Sequence, residues 1–199
     1  MPDKSKKSSA ASGTPKPAKR PKPVVADASP LRLHILRRLD ESLRFLETAI
    51  DRVPEKEWNG RPSPSQWSVG EIVHHLILVE VQRLELIKAL IAGTKESLPP
   101  RDGPAPDLAV ARTSPNRNQA LPEMVPKPGL PAKVLRKALR RARLETTSFA
   151  GTVDLEKAQA LWLRTASLGV VNAAEYLEFI SAHMERHTDQ ILRLRAERK

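Results

Sequence analysis

Apolar residues recur every three or four positions through four long stretches of this chain, which is the period of an amphipathic helix. In the first stretch the repeat is carried by Leu36, Leu39, Leu43, Leu46 and Ile50. The pattern predicts helices over about residues 30–52, 69–92, 131–151 and 173–194. Alternating β-branched residues, which would indicate strands, are almost absent. We therefore predict an all-α fold.

Capping signals mark where these helices begin. Ser29-Pro30 places a serine N-cap before a proline in the first turn of the first helix. Ser68 followed three residues later by Glu71 forms a capping box for the second helix, and a glycine closes that helix. Asn172 offers an N-cap for the fourth helix.

The connection between the second and third helices is long and rich in proline. Residues 95–130 contain eight of the eighteen prolines and show no helical period. A connection of this length inside a compact domain is typical of a lid, a binding loop or a crossover. Residues 152–170 are predicted to be a second, shorter connector. The predicted architecture is a four-helix bundle with a long crossover loop between helices 2 and 3.

The positive charge of the chain is concentrated in an N-terminal tail. Residues 1–28 are rich in Lys, Pro, Ser and Ala and are predicted to be disordered, so the bundle domain is predicted over 29–199. The first thirty residues hold seven Lys and Arg against two Asp, out of a net charge of +11. The rest of the charge is spread along helix faces, which is typical of a solvated surface, and nucleic-acid binding is not expected.

The third helix carries the densest group of basic residues. The side of this helix opposite its apolar face is predicted to hold Arg136, Lys137, Arg140, Arg141 and Arg143. This group is the best candidate for a polyanion-binding patch. Charges opposite an apolar stripe need no ligand to explain them, however, and a solvated helix face is the simpler interpretation.

Composition excludes several kinds of site and location. The chain has no cysteine, so disulfides, thiolate metal sites and a cysteine nucleophile are excluded, and a metal site would have to use His, Asp or Glu. No apolar run approaches the roughly 18 residues of a membrane helix, and the N-terminus lacks the apolar core of a secretory signal. The cytoplasm is the expected location.

Three histidines are the candidate site. His183 and His187 lie one turn apart on the apolar face of the fourth helix. On the second helix His75 lies near the apolar arc, whereas His74 points to nearly the opposite side. Three inward imidazoles on facing helices could hold a divalent metal and leave coordination positions open, which is the pattern of catalytic sites. Buried histidines that only complete the core are the alternative.

Two further polar residues are candidates for catalytic roles. Glu71 lies one turn before His75 and could act as a general base, a fourth ligand or an acceptor for the histidine. Its place in the capping box explains it equally well. Gln190 follows His187 by one turn and could bond a metal-bound water or only orient the imidazole.

Two motifs give the chain a resemblance to a known family. The segments PSQWSVGEIVHHLILVE and LGVVNAAEYLEFISAHMERHTDQI resemble the DinB-like superfamily, and the similarity extends from about Leu31 to Leu194. The resemblance implies a four-helix bundle that binds a divalent ion, nickel, zinc, iron or manganese, through His75, His183 and His187. Close relatives often carry His-Pro-x-x-Gly before the last helix, whereas this chain has TASLG at 165–169.

The resemblance also suggests a reaction class. Relatives include thiol S-transferases that use low-molecular-weight thiols, a mycothiol-dependent isomerase and presumed hydrolases. We therefore expect a metal-dependent transferase or hydrolase that acts on a small molecule in a pocket covered by the 95–130 loop. A low-molecular-weight thiol is one candidate for this molecule. The alternative is a non-enzymatic, stress-related metal-binding or interaction protein. The sequence leaves a homodimer open.

Overall fold

The computed structural model of the chain describes residues 29–51, 53–113 and 120–197. The predicted disorder of residues 1–28 lies outside this range. The elements in chain order are α1 Pro30–Asp51, α2 Glu55–Trp58, α3 Val69–Ala92, α4 Leu108–Thr113, one 3-10 turn at Pro122–Met124, α5 Ala132–Thr152, α6 Leu155–Ala160, β1 Trp162–Thr165, β2 Gly169–Asn172 and α7 Ala173–Ala196.

The four long helices α1, α3, α5 and α7 form the predicted bundle. Helix α1 packs against α5 and α7, and α3 packs against the same two helices. Consecutive long helices α1 and α3 therefore lie at opposite corners of the bundle. The connection that contains α2 spans this diagonal, whereas the long crossover joins α3 to α5, which pack against each other.

The second connector is more structured than the sequence pattern predicts. Residues 152–170 contain α6 and the strand β1, which pairs antiparallel with β2 and aligns Leu163 with Val171. Both of these side chains are buried, so the hairpin closes one end of the core. Gly169 adopts a positive φ of 69° at the turn, a conformation that glycine adopts easily. The sequence pattern predicts only a connector here and does not reveal the hairpin, because four-residue strands are too short to show an alternating pattern.

The core lies between the helices in two apolar clusters. One contains Ile35, Leu39, Ile87, Leu90, Leu177, Phe179 and Ile180, and the other contains Leu46, Ile50, Trp58, Ile72, Leu76, Leu139, Met184 and Ile191 among their members. No helix in the described ranges is long and apolar enough to span a membrane.

A buried ion pair crosses the bundle between α3 and α5. Arg143 is 2% exposed and donates from Nε and Nη2 to the two carboxylate oxygens of Glu80, at 2.8 and 3.1 Å. Its Nη1 donates to Ser42 Oγ at 2.9 Å and to the Leu39 carbonyl. The placement of Arg143 on the solvated side of the third helix is therefore wrong, because a carboxylate on α3 and groups on α1 draw it into the core.

Candidate metal centre

Helix α3 presents His75 to the interior. Its first turn is fixed by the predicted capping box, in which the Glu71 amide donates to Ser68 Oγ at 3.2 Å and the Ser68 amide donates to Glu71 Oε2 at 2.9 Å. His75 follows one turn later, is 5% exposed and packs against the ring of Trp67 with centroids 4.8 Å apart. The cap thus fixes where α3 begins.

Helix α7 presents the other two histidines. Asn172 caps this helix, accepting from the Glu175 amide at 2.9 Å, and Glu175 accepts from the Asn172 amide at 3.0 Å. His187 is buried, whereas His183 keeps some exposed surface. Because the two residues are four positions apart, their rings point the same way.

The structure brings the three predicted ligands together. Each of His75, His183 and His187 offers one ring nitrogen, and these three atoms lie within 4.8 Å of one another. The ring centroids are 4.6 Å apart for His183 and His187, 5.0 Å for His75 and His187, and 5.5 Å for His75 and His183. Among the described residues no Asp or Glu joins this group.

Hydrogen bonds to two of the rings occupy the nitrogen that would face away from an ion. Nδ1 of His75 lies 2.9 Å from the Met124 carbonyl oxygen, and Nδ1 of His187 lies 2.8 Å from Gln190 Oε1. Because both partners are acceptors, each Nδ1 carries the proton and each Nε2 keeps its lone pair. Nε2 of His183 is buried and has no hydrogen-bond partner within the described part of the chain. A metal ion would satisfy this orphaned atom, so the residues fit the ion that the sequence suggests.

Electrostatics keep the cluster neutral. Burial lowers the pKa of His187 to about 3, and the neighbouring His75 contributes to the shift. Burial, followed by the charge of Arg83, also holds the pKa of His183 well below its usual value. The pKa of His75 is lowered for the same two main reasons, although its bond to Met124 opposes the shift. Neutral imidazoles at pH 7 are the form that binds a metal.

Glu71, which the sequence offered as a candidate base, is engaged elsewhere. Its carboxylate is 1% exposed and accepts from Arg61 Nε at 2.9 and 3.1 Å, in addition to its bond with the Ser68 amide. Burial raises the pKa of Glu71, but the bonds from Arg61 and Ser68 outweigh it and leave the pKa below the usual value. These contacts match the capping interpretation, and the side chain lies outside the histidine group.

Gln190 contacts the cluster through its hydrogen bond with His187. Of the two roles considered for it, orientation of the imidazole is the one that this contact matches. Sequence reasoning missed Met124, which contacts His75, and Arg83, which lies beside His183. It also missed Arg61, which binds Glu71 outside the cluster. Arg83 could have been found from its spacing, because a residue eight positions after His75 lies within about 80° of it on the helical wheel.

The second half of the crossover covers α3 beside the cluster. Besides the Met124 contact with His75, the Lys127 amide donates to His74 Nδ1 at 2.9 Å. Gln82 Nε2 donates to Glu123 Oε1 at 3.1 Å. His74 is therefore bound to the crossover and is not part of the cluster, as the wheel predicts.

Comparisons with known proteins agree with this architecture. A model of the DinB superfamily matches residues 38–191. No curated protein sequence matches the chain. Among solved structures, the chain is similar to YfiT from Bacillus subtilis, described as a probable metal-dependent hydrolase with an unusual four-helix bundle topology. The match covers 94% of each chain with a TM-score of 0.59 and 16% identity, so this likeness shows the fold alone.

Proposed function

The chain belongs to the DinB superfamily, and we propose on this basis that His75, His183 and His187 hold a divalent metal ion. The observation that carries the proposal is the convergence of three ring nitrogens within 4.8 Å, one of which is buried without a partner. A satisfied core histidine would instead show a protein partner on this atom.

The donor set narrows the choice of ion. Three imidazoles without a carboxylate or thiolate suit zinc, nickel or iron better than magnesium or calcium, and manganese is a further candidate from the family resemblance. Three protein ligands leave coordination positions open for a substrate. An ion bound there would act as a Lewis acid toward a carbonyl, a thiol or water.

The residues around the cluster would prepare it for this role. The Met124 carbonyl and Gln190 fix the orientation and the tautomer of two rings, so that their lone pairs point inward. The crossover is bound to α3 beside the cluster through Lys127 and Glu123 and would cover the site from that side. We propose that the protein is a metal-dependent hydrolase or thiol S-transferase that acts on a small molecule.

Metal analysis of protein purified without a histidine tag tests the centre. After incubation with zinc, nickel, iron or manganese and removal of free ion, we expect one ion per chain by mass spectrometry. His75→Ala should abolish occupancy, because two imidazoles bind much more weakly than three. His74→Ala is the matched control, since this neighbouring ring lies outside the cluster, and it should retain the ion. Full occupancy in His75→Ala would contradict the proposal.

A second experiment separates an enzyme from a protein in which the metal only stabilises the bundle. Thiol acceptors and ester or amide substrates are screened with metal-loaded and chelated protein, using low-molecular-weight thiols as co-substrates. Turnover that depends on the metal and is lost in His75→Ala supports the enzyme. If chelation lowers the melting temperature while no substrate is converted, the non-enzymatic alternative is favoured.

A further inference from the structure

His74 and His75 are neighbours on α3, and both hydrogen-bond the same short segment of the crossover, residues 124–127, which we call the strap. Nδ1 of His75 donates to the Met124 carbonyl at 2.9 Å, and Nδ1 of His74 accepts from the Lys127 amide at 2.9 Å. His75 is buried and His74 is only partly buried. The strap therefore lies along the edge where the buried side of α3 meets solvent.

The two hydrogen bonds require opposite tautomers of the two rings. A carbonyl only accepts, so Nδ1 of His75 carries the proton and its Nε2 keeps the lone pair that a metal ion needs. An amide only donates, so Nδ1 of neutral His74 has no proton and its Nε2 carries one. The strap thus leaves Nε2 of His75, and not Nε2 of His74, free to bind an ion.

The backbone of the strap holds its two polar groups at a fixed spacing. The Met124 carbonyl and the Lys127 amide are three residues apart, the spacing of the pair that closes a β-turn, yet each bonds an imidazole instead. Val125 is extended, with φ −71° and ψ 122°, as expected before proline. Pro126 is buried and has no amide hydrogen to pair. Movement of the Lys127 amide would therefore also move the Met124 carbonyl.

The bond to His74 is the main-chain anchor at the far end of the strap. A further hydrogen bond joins Gln82 Nε2 to Glu123 Oε1 at 3.1 Å, just before the strap, but it is exposed to solvent. Water competes for such a bond, so its net contribution is small. Without the His74 acceptor, the position of the Met124 carbonyl would depend on this exposed contact and on His75 itself.

We propose that His74 is a positioning residue of the metal centre. By accepting from the Lys127 amide it holds the strap against α3, and the Met124 carbonyl then keeps His75 in the tautomer and orientation that bind an ion. This inference rests on the proposed function and adds to it a residue that is not itself a ligand. Because His74 acts through His75, its loss should change the affinity of the centre and not the number of ions bound.

The zinc affinity of the full chain, measured in competition with a chromophoric chelator, tests this role. His74→Phe keeps a ring but removes the acceptor, and we expect its affinity to fall about three- to tenfold, as for the loss of one hydrogen bond. His74→Asn should restore most of the affinity, because the side-chain oxygen of asparagine can accept close to the position of Nδ1. At saturating zinc both variants should still hold one ion, as expected above for His74→Ala. A smaller loss in His74→Phe, or equal losses in both variants, would overturn the proposal.

A second readout needs no metal and separates positioning from a merely structural effect. Nitrogen NMR of chelated protein with isotope-labelled histidine at pH 7 reports which ring nitrogen is protonated. In wild type we expect the proton on Nδ1 of His75 and on Nε2 of His74. The signals of His75 should move toward a mixture of tautomers in His74→Phe and return in His74→Asn. Unchanged His75 signals in His74→Phe would overturn the proposal, and so would one shared tautomer in wild type, even if neither variant folds.

The two readouts also separate this inference from the metal proposal. If no divalent ion binds wild type, the metal centre is refuted, while opposite tautomers that depend on the acceptor at position 74 would still show the action of His74 on His75. If zinc binds wild type and both variants with the same affinity, the metal centre stands and the role of His74 is refuted alone.

Discussion

The three clustered imidazoles should make the metal-free protein sensitive to mild acid. The pKa of His187 is about 3 in the folded protein, against about 6.5 in an unfolded chain. Below pH 6.5 this imidazole is therefore protonated in the unfolded chain but stays neutral in the folded protein. The contribution of His187 to the free energy of unfolding is complete above pH 6.5 and is lost progressively as the pH falls toward 3.

The size of the loss follows from these two pKa values. At pH 5 the unfolded imidazole is almost fully protonated and the folded one is not, which removes about 2 kcal/mol of stability. This figure hardly changes if the folded pKa lies one unit higher, because pH 5 is still above it. The pKa of His183 is shifted in the same direction and adds to the loss. Lowered carboxylate pKa values, such as that of Glu71, act mainly at lower pH.

Urea unfolding followed by circular dichroism at pH 7, 6 and 5 in the presence of chelator measures this effect. We expect the free energy of unfolding to fall by at least about 2 kcal/mol between pH 7 and pH 5. In His187→Gln the fall should be smaller by about that amount. A flat profile in wild type, or the same fall in His187→Gln, would refute the reasoning.

Three further predictions concern the surroundings of the site. Arg143→Met should reduce the free energy of unfolding in urea by about 3–5 kcal/mol because it leaves Glu80 buried and unpaired, and the double variant with Glu80→Leu should recover most of the loss. If the double variant recovers less than a quarter of the lost stability, the unpaired charge of Glu80 is not the cause of the loss. Gln190→Leu should weaken zinc binding about 10–100-fold in competition with a chromophoric chelator, because His187 loses its orienting acceptor, and unchanged affinity would count against that role. Glu71→Gln should lower the melting temperature but keep full metal occupancy, whereas a loss of occupancy would restore Glu71 as a ligand candidate.

The part of the site that the sequence predicts depends on local geometry. His183 and His187 are one turn apart, and the apolar positions around them fix the face they share. The choice of His75 over His74 follows from the same periodicity on α3, and the structure places His74 against Lys127 instead. Helical periodicity requires no knowledge of distant partners, so these predictions could be made from the sequence.

The part that the sequence does not predict depends on contacts between distant segments. Arg143 lies on the polar side of its own helix pattern, and its burial follows from Glu80, which is 63 positions away. Likewise Glu71 gives its carboxylate to Arg61 in the preceding loop, which a capping motif alone does not indicate. A helical wheel describes one helix and cannot show side chains that other segments of the chain bring to it.

The contact between His75 and the carbonyl of Met124 has a consequence for how the protein tolerates change. Because the acceptor is a main-chain atom, almost any amino acid at position 124 could provide it, and replacement of the side chain would leave the imidazole oriented. Insertions or deletions near this position would instead shift the carbonyl away from the ring. Spacing along the loop, rather than residue identity, is therefore the property that evolution has to preserve here.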